Sequence, residues 1–216
     1  MNSPAAWQSP NKQLERTVIR RRWRRGRAAA ELRRLCGACW PTSVAVDSHY
    51  DLRVATPQDA EAVGELLCAS YPRLMRSAYG EEALAPALEL MTKASPSLLG
   101  SGTYYVAELA TGSLVGCGGW THERPGTKSV EPGLGHIRHF AVHPDWTRRG
   151  IGRAILTSCD RAARAAGVRT LECYSSLNAE KFYRALGFVR IREMDMELKP
   201  PVVLRAVLMR RNLYDE

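Results

Sequence analysis

The order of β-rich and helical segments after Asp51 is the feature that most limits the fold of this chain. Three β-rich runs follow one another at residues 103–109, 113–122 and 135–144, and Ala110, Thr111 and Gly112 join the first two as a hairpin signal. A helix, a strand (169–176), a short helix (179–186) and two strands (188–198 and 202–211) come next. This order predicts an α+β fold with a central mixed, mostly antiparallel sheet flanked by helices.

Two helices are predicted before the hairpin. A strand at 52–55 leads into Thr56, which is a good N-cap residue, and Pro57 suits the first helical position. A second helix is predicted over 81–92. Near the other end of the chain, Gly167 ends the helix that starts at Ile151, and Asn178 is placed to cap the helix over 179–186.

The positive charge of the chain is concentrated at its N-terminus. The formal net charge is +9, and residues 1–50 hold ten Lys or Arg against three Asp or Glu. An Arg-rich segment such as TVIRRRWRRGRAAAELRRL can bind nucleic acid or anionic lipid, or act as a targeting signal. Its thin apolar content instead favours a disordered basic extension over 1–48, either functional or an over-long gene model. The domain is predicted over 51–210 and a tail over 211–216.

Two further patterns limit the location and the chemistry. No apolar run reaches membrane-spanning length and no signal peptide opens the sequence, so we expect a cytoplasmic protein without a membrane partner. Cys36 and Cys39 form a CGAC unit that is typical of redox or zinc sites, but no second pair follows, so no metal is predicted. The other four cysteines are expected in the core.

The stretch HPDWTRRGIGRAIL, residues 143–156, combines a strand end, a glycine-rich turn and a helix start. Free backbone N–H groups and the helix dipole attract phosphate at such a place. Gly150 and Gly152 allow close approach, and Arg148, Arg149 and Arg153 add positive charge. A dinucleotide fingerprint is excluded because Ile155 stands where a small residue is needed, and a P-loop is excluded because no Gly-Lys-Ser/Thr follows.

Two segments together resemble the GNAT superfamily of N-acyltransferases. VHPDWTRRGIGRAIL is similar to the acyl-CoA-binding motif of that family, and NAEKFYRALGF is similar to its second motif, in the same order along the chain. The resemblance covers about 51–210 and implies the GNAT-like acyl-CoA N-acyltransferase fold. Thr147 departs from the pattern, because the family usually has Gln or Arg there.

The resemblance also implies an activity and a co-substrate. The expected reaction is acetyl transfer from acetyl-CoA to a primary amine by direct attack. The strand carrying Phe140, Ala141 and Val142 is expected to splay from its neighbour and pair with pantetheine. The cofactor's pyrophosphate is expected on the turn formed by Arg148, Arg149, Gly150, Ile151, Gly152 and Arg153.

Side-chain roles follow from the same resemblance. His136 is expected to be the general base on a strand facing the cleft, with Arg138 on the same face and His139 as the alternative if a bulge shifts the register. Tyr183 is expected to contact the cofactor and protonate the leaving sulfur. Asn178 binds the cofactor or caps its helix. The acceptor side is expected to hold Tyr71, Arg76, Tyr79, Trp120 and His122.

Several alternatives stay open at this point. A catalytically silent acyl-CoA-binding or sensing module would carry the same cofactor motif. Nucleic acid is expected as a partner only through the basic extension. The acceptor is a small-molecule or peptide amine, with antibiotic, polyamine, amino acid and protein amines all open. The oligomeric state is open too, a homodimer being one alternative.

Overall fold

A seven-stranded sheet organises the computed structural model, which describes residues 49–215. The basic extension and the CGAC unit lie outside the described residues. The spatial strand order is β1-β2-β3-β4-β5-β7-β6, and every neighbouring pair is antiparallel except β4 and β5. The strands are β1 Tyr50–Val54, β2 Tyr104–Leu109, β3 Leu114–Thr121, β4 Leu134–Val142, β5 Thr170–Ser176, β6 Val189–Lys199 and β7 Val202–Asn212. The predicted α+β fold with a mixed, mostly antiparallel sheet is confirmed.

Four α-helices flank the sheet: α1 Ala60–Met91, α2 Pro96–Leu99, α3 Ile151–Ala165 and α4 Glu180–Arg184. Helix α1 is preceded by a capping box, in which the Asp59 carboxylate accepts a hydrogen bond from the Thr56 N–H at 2.7 Å. It is interrupted at Gly80, whose φ of +73° is a left-handed value that favours glycine. The two helices predicted from the sequence are therefore the two halves of α1, while α2 was not predicted.

The two faces of the sheet carry separate apolar cores. On one face, Ile151, Ile155 and Cys159 of α3 pack over β2 and β3. The approach is close, because a Cβ at Gly116 of β3 would overlap the Ile151 side chain. On the other face, α1 packs against a second cluster that includes Tyr104, Val106, Cys117, Ala141 and Leu204. Of the cysteines expected in the core, Cys117, Cys159 and Cys173 are buried, whereas Cys68 is exposed.

Strands β4 and β5 separate part of the way along their length. They pair only at Leu134 with Thr170, Gly135 with Leu171, and His136 with Glu172. Beyond this point β5 stays paired with β7 as far as Ser176, so the gap lies between β4 and β5. The predicted splay of the strand that carries residues 140–142 is confirmed.

A β-bulge interrupts β4 just where this gap opens. Arg138 pairs with Gly119 and Ala141 pairs with Cys117, so two residues of β4, His139 and Phe140, stand opposite Gly118 alone. His139 has a φ of +45°. The Phe140 ring lies over Gly118, where a Cβ would come within 2.5 Å of it. The bulge thus changes which β4 side chains face each core.

The C-terminal strand is longer than the sequence predicted. Strand β7 continues to Asn212, and Leu213 is buried, so the strand enters the segment expected as a tail. The pairing of Thr170 with Asn212 explains the extension, because β5 provides backbone partners that a local pattern cannot show. Within residues 49–215, no helix is both long enough and apolar enough to cross a membrane.

Candidate functional site

The gap between β4 and β5 opens into a cleft of about 990 Å³. Its walls are β4 from Ile137 to Val142, the end of β5, the start of α3, helix α4 and part of α1. Since β5 no longer pairs with this part of β4, other groups meet two of the β4 carbonyls. The Ser70 hydroxyl donates to the Val142 oxygen at 2.9 Å, and the Tyr71 hydroxyl is 3.5 Å from the Phe140 oxygen.

The start of α3 forms one end of the cleft. Gly150 is the N-cap, with a φ of +81°, and Arg148 also has a positive φ of +64°. The cap offers no side-chain acceptor and the first turn contains no acidic residue. The first helical bond runs from the Ala154 N–H to the Gly150 oxygen at 2.9 Å, so the preceding N–H groups have no helical partner. This helix end is suited to an anion.

Nearly all the residues expected to bind a cofactor meet in this cleft. Those that line it are Phe140, Ala141, Val142, Arg148, Gly150, Ile151, Gly152, Arg153, Asn178 and Tyr183. Arg149 is the exception, because its guanidinium lies 4.5 Å above the Trp146 ring in a cation–π contact. The Thr147 hydroxyl donates to the Pro144 oxygen at 3.0 Å, so this departure from the family pattern stabilises the turn before α3.

Tyr183 of α4 is buried against three aromatic rings and also lines the cleft. Its ring centroid lies 6.2 Å from Phe140, 5.0 Å from Phe182 and 5.3 Å from Phe188. Burial raises the pKa of Tyr183 well above its ordinary value. The phenol is therefore protonated at neutral pH and available as a hydrogen-bond donor.

Asn178 does not have the capping role considered from the sequence. It lies inside a 3₁₀ turn, Leu177–Ala179, and helix α4 after it has Ala179 at the N-cap without a side-chain hydrogen bond. The turn shifts the helix start by one residue, from 179 to Glu180, which moves the cap position from Asn178 to Ala179. Its side chain is exposed and borders the cleft.

His136 is placed differently from the expectation that it faces the cleft. It is 2% exposed and does not line the cleft, because it lies where β4 and β5 are still paired. Its Nδ1 is 3.5 Å from Oε1 of Glu172, and the other oxygen of Glu172 accepts from Arg210 Nε at 2.8 Å. Burial lowers the pKa of His136, against an opposing effect of Glu172.

His139, the alternative base, lines the cleft at the bulge. Burial, with a smaller contribution from the Arg138 charge, lowers the pKa of His139 to about 4. The imidazole is therefore the free base at neutral pH. Its backbone is fixed from the opposite core, where the Tyr104 hydroxyl donates to the His139 oxygen at 3.0 Å.

The residues expected on the acceptor side separate into two groups. Tyr71 and Tyr79 line the cleft, and the Tyr79 hydroxyl accepts from the Leu177 N–H and donates to the Arg205 oxygen, both at 2.8 Å. The others do not line it: Trp120 is in the core with His122 against its ring, and Arg76 pairs with Glu81. Ser70 and Tyr174 also line the cleft, although no sequence pattern assigned a role to them.

A mixed sheet split between its two parallel strands, with a glycine-rich helix start at one end of the split, defines the acyl-CoA N-acyltransferase class of folds. Residues 100–190 match the family model of the acetyltransferase (GNAT) domain. Residues 100–190 therefore match the family that the two sequence motifs predicted. GNAT enzymes transfer acyl groups to amine acceptors.

Solved structures of GNAT proteins share this fold at low sequence identity. A GCN5-related N-acetyltransferase from Rhodopseudomonas palustris is 24% identical with a TM-score of 0.58, and the match covers 76% of this chain and 95% of that one. The PaiA N-acetyltransferase from Thermoplasma acidophilum, solved in complex with coenzyme A, is 15% identical with a TM-score of 0.57, covering 76% and 99%. Ard1 from Thermoplasma volcanium is 17% identical with a TM-score of 0.53, covering 77% and 100%.

Proposed function

We propose that the protein is an acetyl-CoA-dependent N-acetyltransferase that acetylates a primary amine of a small molecule or peptide. The observation that carries this proposal is that one cleft joins the unpaired part of β4, the anion-binding start of α3 and the buried phenol of Tyr183. The coenzyme A bound to the Thermoplasma acidophilum relative supports the same co-substrate here.

The cofactor is held along β4 and the start of α3. The backbone of residues 140–142 pairs with pantetheine as an added strand would, since β5 has left this side of β4 and, within residues 49–215, only two carbonyl oxygens there are contacted, by the hydroxyls of Ser70 and Tyr71. The pyrophosphate accepts hydrogen bonds from the first N–H groups of α3 and is neutralised by Arg148 and Arg153. The Phe182 ring packs where a side chain at Gly152 would lie, so glycine at this position lets the ring contact the helix start.

The reaction requires a neutral amine. An alkyl amine has a pKa of about 10.4, so its deprotonation at pH 7 costs about 4–5 kcal/mol, which a base and desolvation must offset. We assign the base to His139, because it lines the cleft as a free imidazole while His136 is enclosed against Glu172. The amine nitrogen bonds to the acyl carbon as its proton passes to His139. The C–S bond then breaks, and the sulfur takes a proton from Tyr183.

Thiol release from acetyl-CoA tests the proposed function. The full chain is incubated with acetyl-CoA and a panel of amino acids, amines, polyamines and peptides, and free thiol is measured with the acetylated product. We expect at least one acceptor to yield equal amounts of both. Tight acetyl-CoA binding without transfer to any acceptor would contradict an enzyme and favour the silent acyl-CoA-binding module.

A further inference from the structure

The cleft has an unbalanced set of charges. Among residues 49–215, no Asp or Glu lines it, whereas four Arg or Lys side chains do. Arg148 lies in the turn before α3, Arg153 in α3 and Lys181 in α4, at the end proposed for the cofactor phosphates. Arg138 is different, because it lies on β4 before the bulge, whereas Ala141 and Val142 lie after it.

Arg138 has a hydrogen-bond partner but no ion-pair partner in the part of the chain that the structure describes. Its side chain donates to the Thr121 hydroxyl at 3.1 Å, and no carboxylate lies within salt-bridge distance. Burial lowers the pKa of Arg138, and the charge of Glu123 opposes this effect without a direct contact. A half-buried guanidinium without a counter-ion is costly, and an anion that enters the cleft relieves that cost.

The arginines around Arg138 are not in this situation. Arg124 contacts Glu131 at 2.6 Å, and Arg210 contacts the buried Glu172 at 2.8 Å. Each of these two guanidinium groups is therefore paired with a carboxylate of the same chain. Unlike these two, Arg138 has no carboxylate partner among residues 49–215, and its planar guanidinium can bind a ligand carboxylate through two parallel hydrogen bonds.

Part of the cleft lining is an apolar wall. It is formed by side chains from the second half of α1, the segment before β4, and the hairpin of β6 and β7: Met91, Pro125, Met196, Leu198 and Leu204. Methionines in such a wall adapt to different apolar shapes. A polyamine or aminoglycoside has several positive charges and would meet Arg138 with no carboxylate to balance them, so this wall does not suit polycations.

We propose that Arg138 binds an anionic group of the acceptor, and that the acceptor is an amine with a carboxylate a few bonds away and an apolar body, as in a hydrophobic amino acid. The inference rests on the proposed acetyl transfer. Arg138 and His139 are neighbours in β4 next to the bulge, and both line the cleft, so an acceptor whose carboxylate contacts Arg138 has its amine within the same cleft as the proposed base. The apolar body then lies against the methionine-containing wall.

The test compares matched amines that differ in the anion. L-methionine, L-leucine and L-phenylalanine are each assayed against the corresponding decarboxylated amine, with an aminophosphonate analogue of phenylalanine and spermidine as further probes. We expect the natural chain to prefer each amino acid over its decarboxylated partner by about 10- to 100-fold in kcat/KM, the range for a charge-assisted bidentate contact. The phosphonate probe distinguishes a general anion site from one shaped for a carboxylate.

Substitutions test whether the preference for amino acids over decarboxylated amines depends on Arg138. Arg138→Gln is expected to reduce the amino-acid preference about 10-fold or more with the KM for acetyl-CoA unchanged, and Arg138→Lys is expected to restore part of it. Arg124→Gln is the control, since that arginine is already paired, and should keep the preference. A natural chain that acetylates spermidine or decarboxylated amines as well as amino acids would overturn the inference, as would an unchanged ratio in Arg138→Gln. Transfer to no amine at all would instead contradict the proposed function.

Discussion

Replacing Tyr183 by Phe is expected to lower kcat about 100- to 1,000-fold while the Kd for acetyl-CoA changes less than about threefold. The phenol is buried, protonated at neutral pH and lines the cleft, so its removal takes away the proton that the leaving thiolate needs. The ring contacts with Phe140, Phe182 and Phe188 persist in the variant, because phenylalanine keeps the same aromatic shape.

Stopped-flow or steady-state thiol release gives kcat for this comparison, and calorimetry gives the Kd. Tyr105→Phe is a matched control, since Tyr105 is a partly buried tyrosine of β2 that does not line the cleft. It should keep kcat within about twofold. A Tyr183→Phe enzyme with kcat within threefold of the natural chain would show that sulfur is protonated by another group, and Tyr183 would then have a packing role only.

The second large effect is expected at the bulge. His139→Asn should lower kcat about 100-fold at pH 7.5, because asparagine tolerates the positive φ of this position but cannot accept the amine proton. The matched variant His136→Asn changes the histidine that is enclosed beside Glu172. We expect it to keep kcat within about fivefold and to lower the thermal midpoint, since it disturbs a buried polar pair.

The pH profile separates the two histidines further. Because the pKa of His139 is lowered to about 4, the imidazole is already the free base at pH 5 and above. Raising the pH through 6–7 therefore deprotonates no catalytic histidine, and kcat/KM should rise smoothly with the fraction of neutral amine. Because burial lowers the pKa of His136, a bend below the ordinary histidine range that disappears in His136→Asn and persists in His139→Asn would move the base to His136.

Local sequence signals were sufficient for much of the fold. The hairpin at Ala110–Gly112, the Thr56 cap and the glycine-rich start of α3 each depend on a few neighbouring residues, and the structure contains all three elements. The order of the two motifs was enough to predict the family. The glycine-rich turn before α3 could be located for the same reason, because its glycines and arginines are close together in the sequence.

The histidines show what the sequence could not provide. The family resemblance assigned the base to His136, but the burial of a strand residue depends on where the neighbouring strand stops pairing. That point is set by β5, which leaves β4 after His136. The bulge depends on Gly118 of β3, where the Phe140 ring takes the space of a side chain. Neither contact is local, so the sequence named His139 only as an alternative.

The hydroxyl of Tyr79 joins parts of the chain that are far apart in sequence. Tyr79 is the last residue before the break at Gly80. Its hydroxyl connects α1 to the turn that carries Asn178 and to the backbone of β7. The wall proposed to contact the acceptor is thus joined to the turn that leads into α4, the helix of Tyr183. Substitutions in β6, β7 or the second half of α1 can change acceptor choice during evolution, while this single anchor keeps the reacting geometry in register.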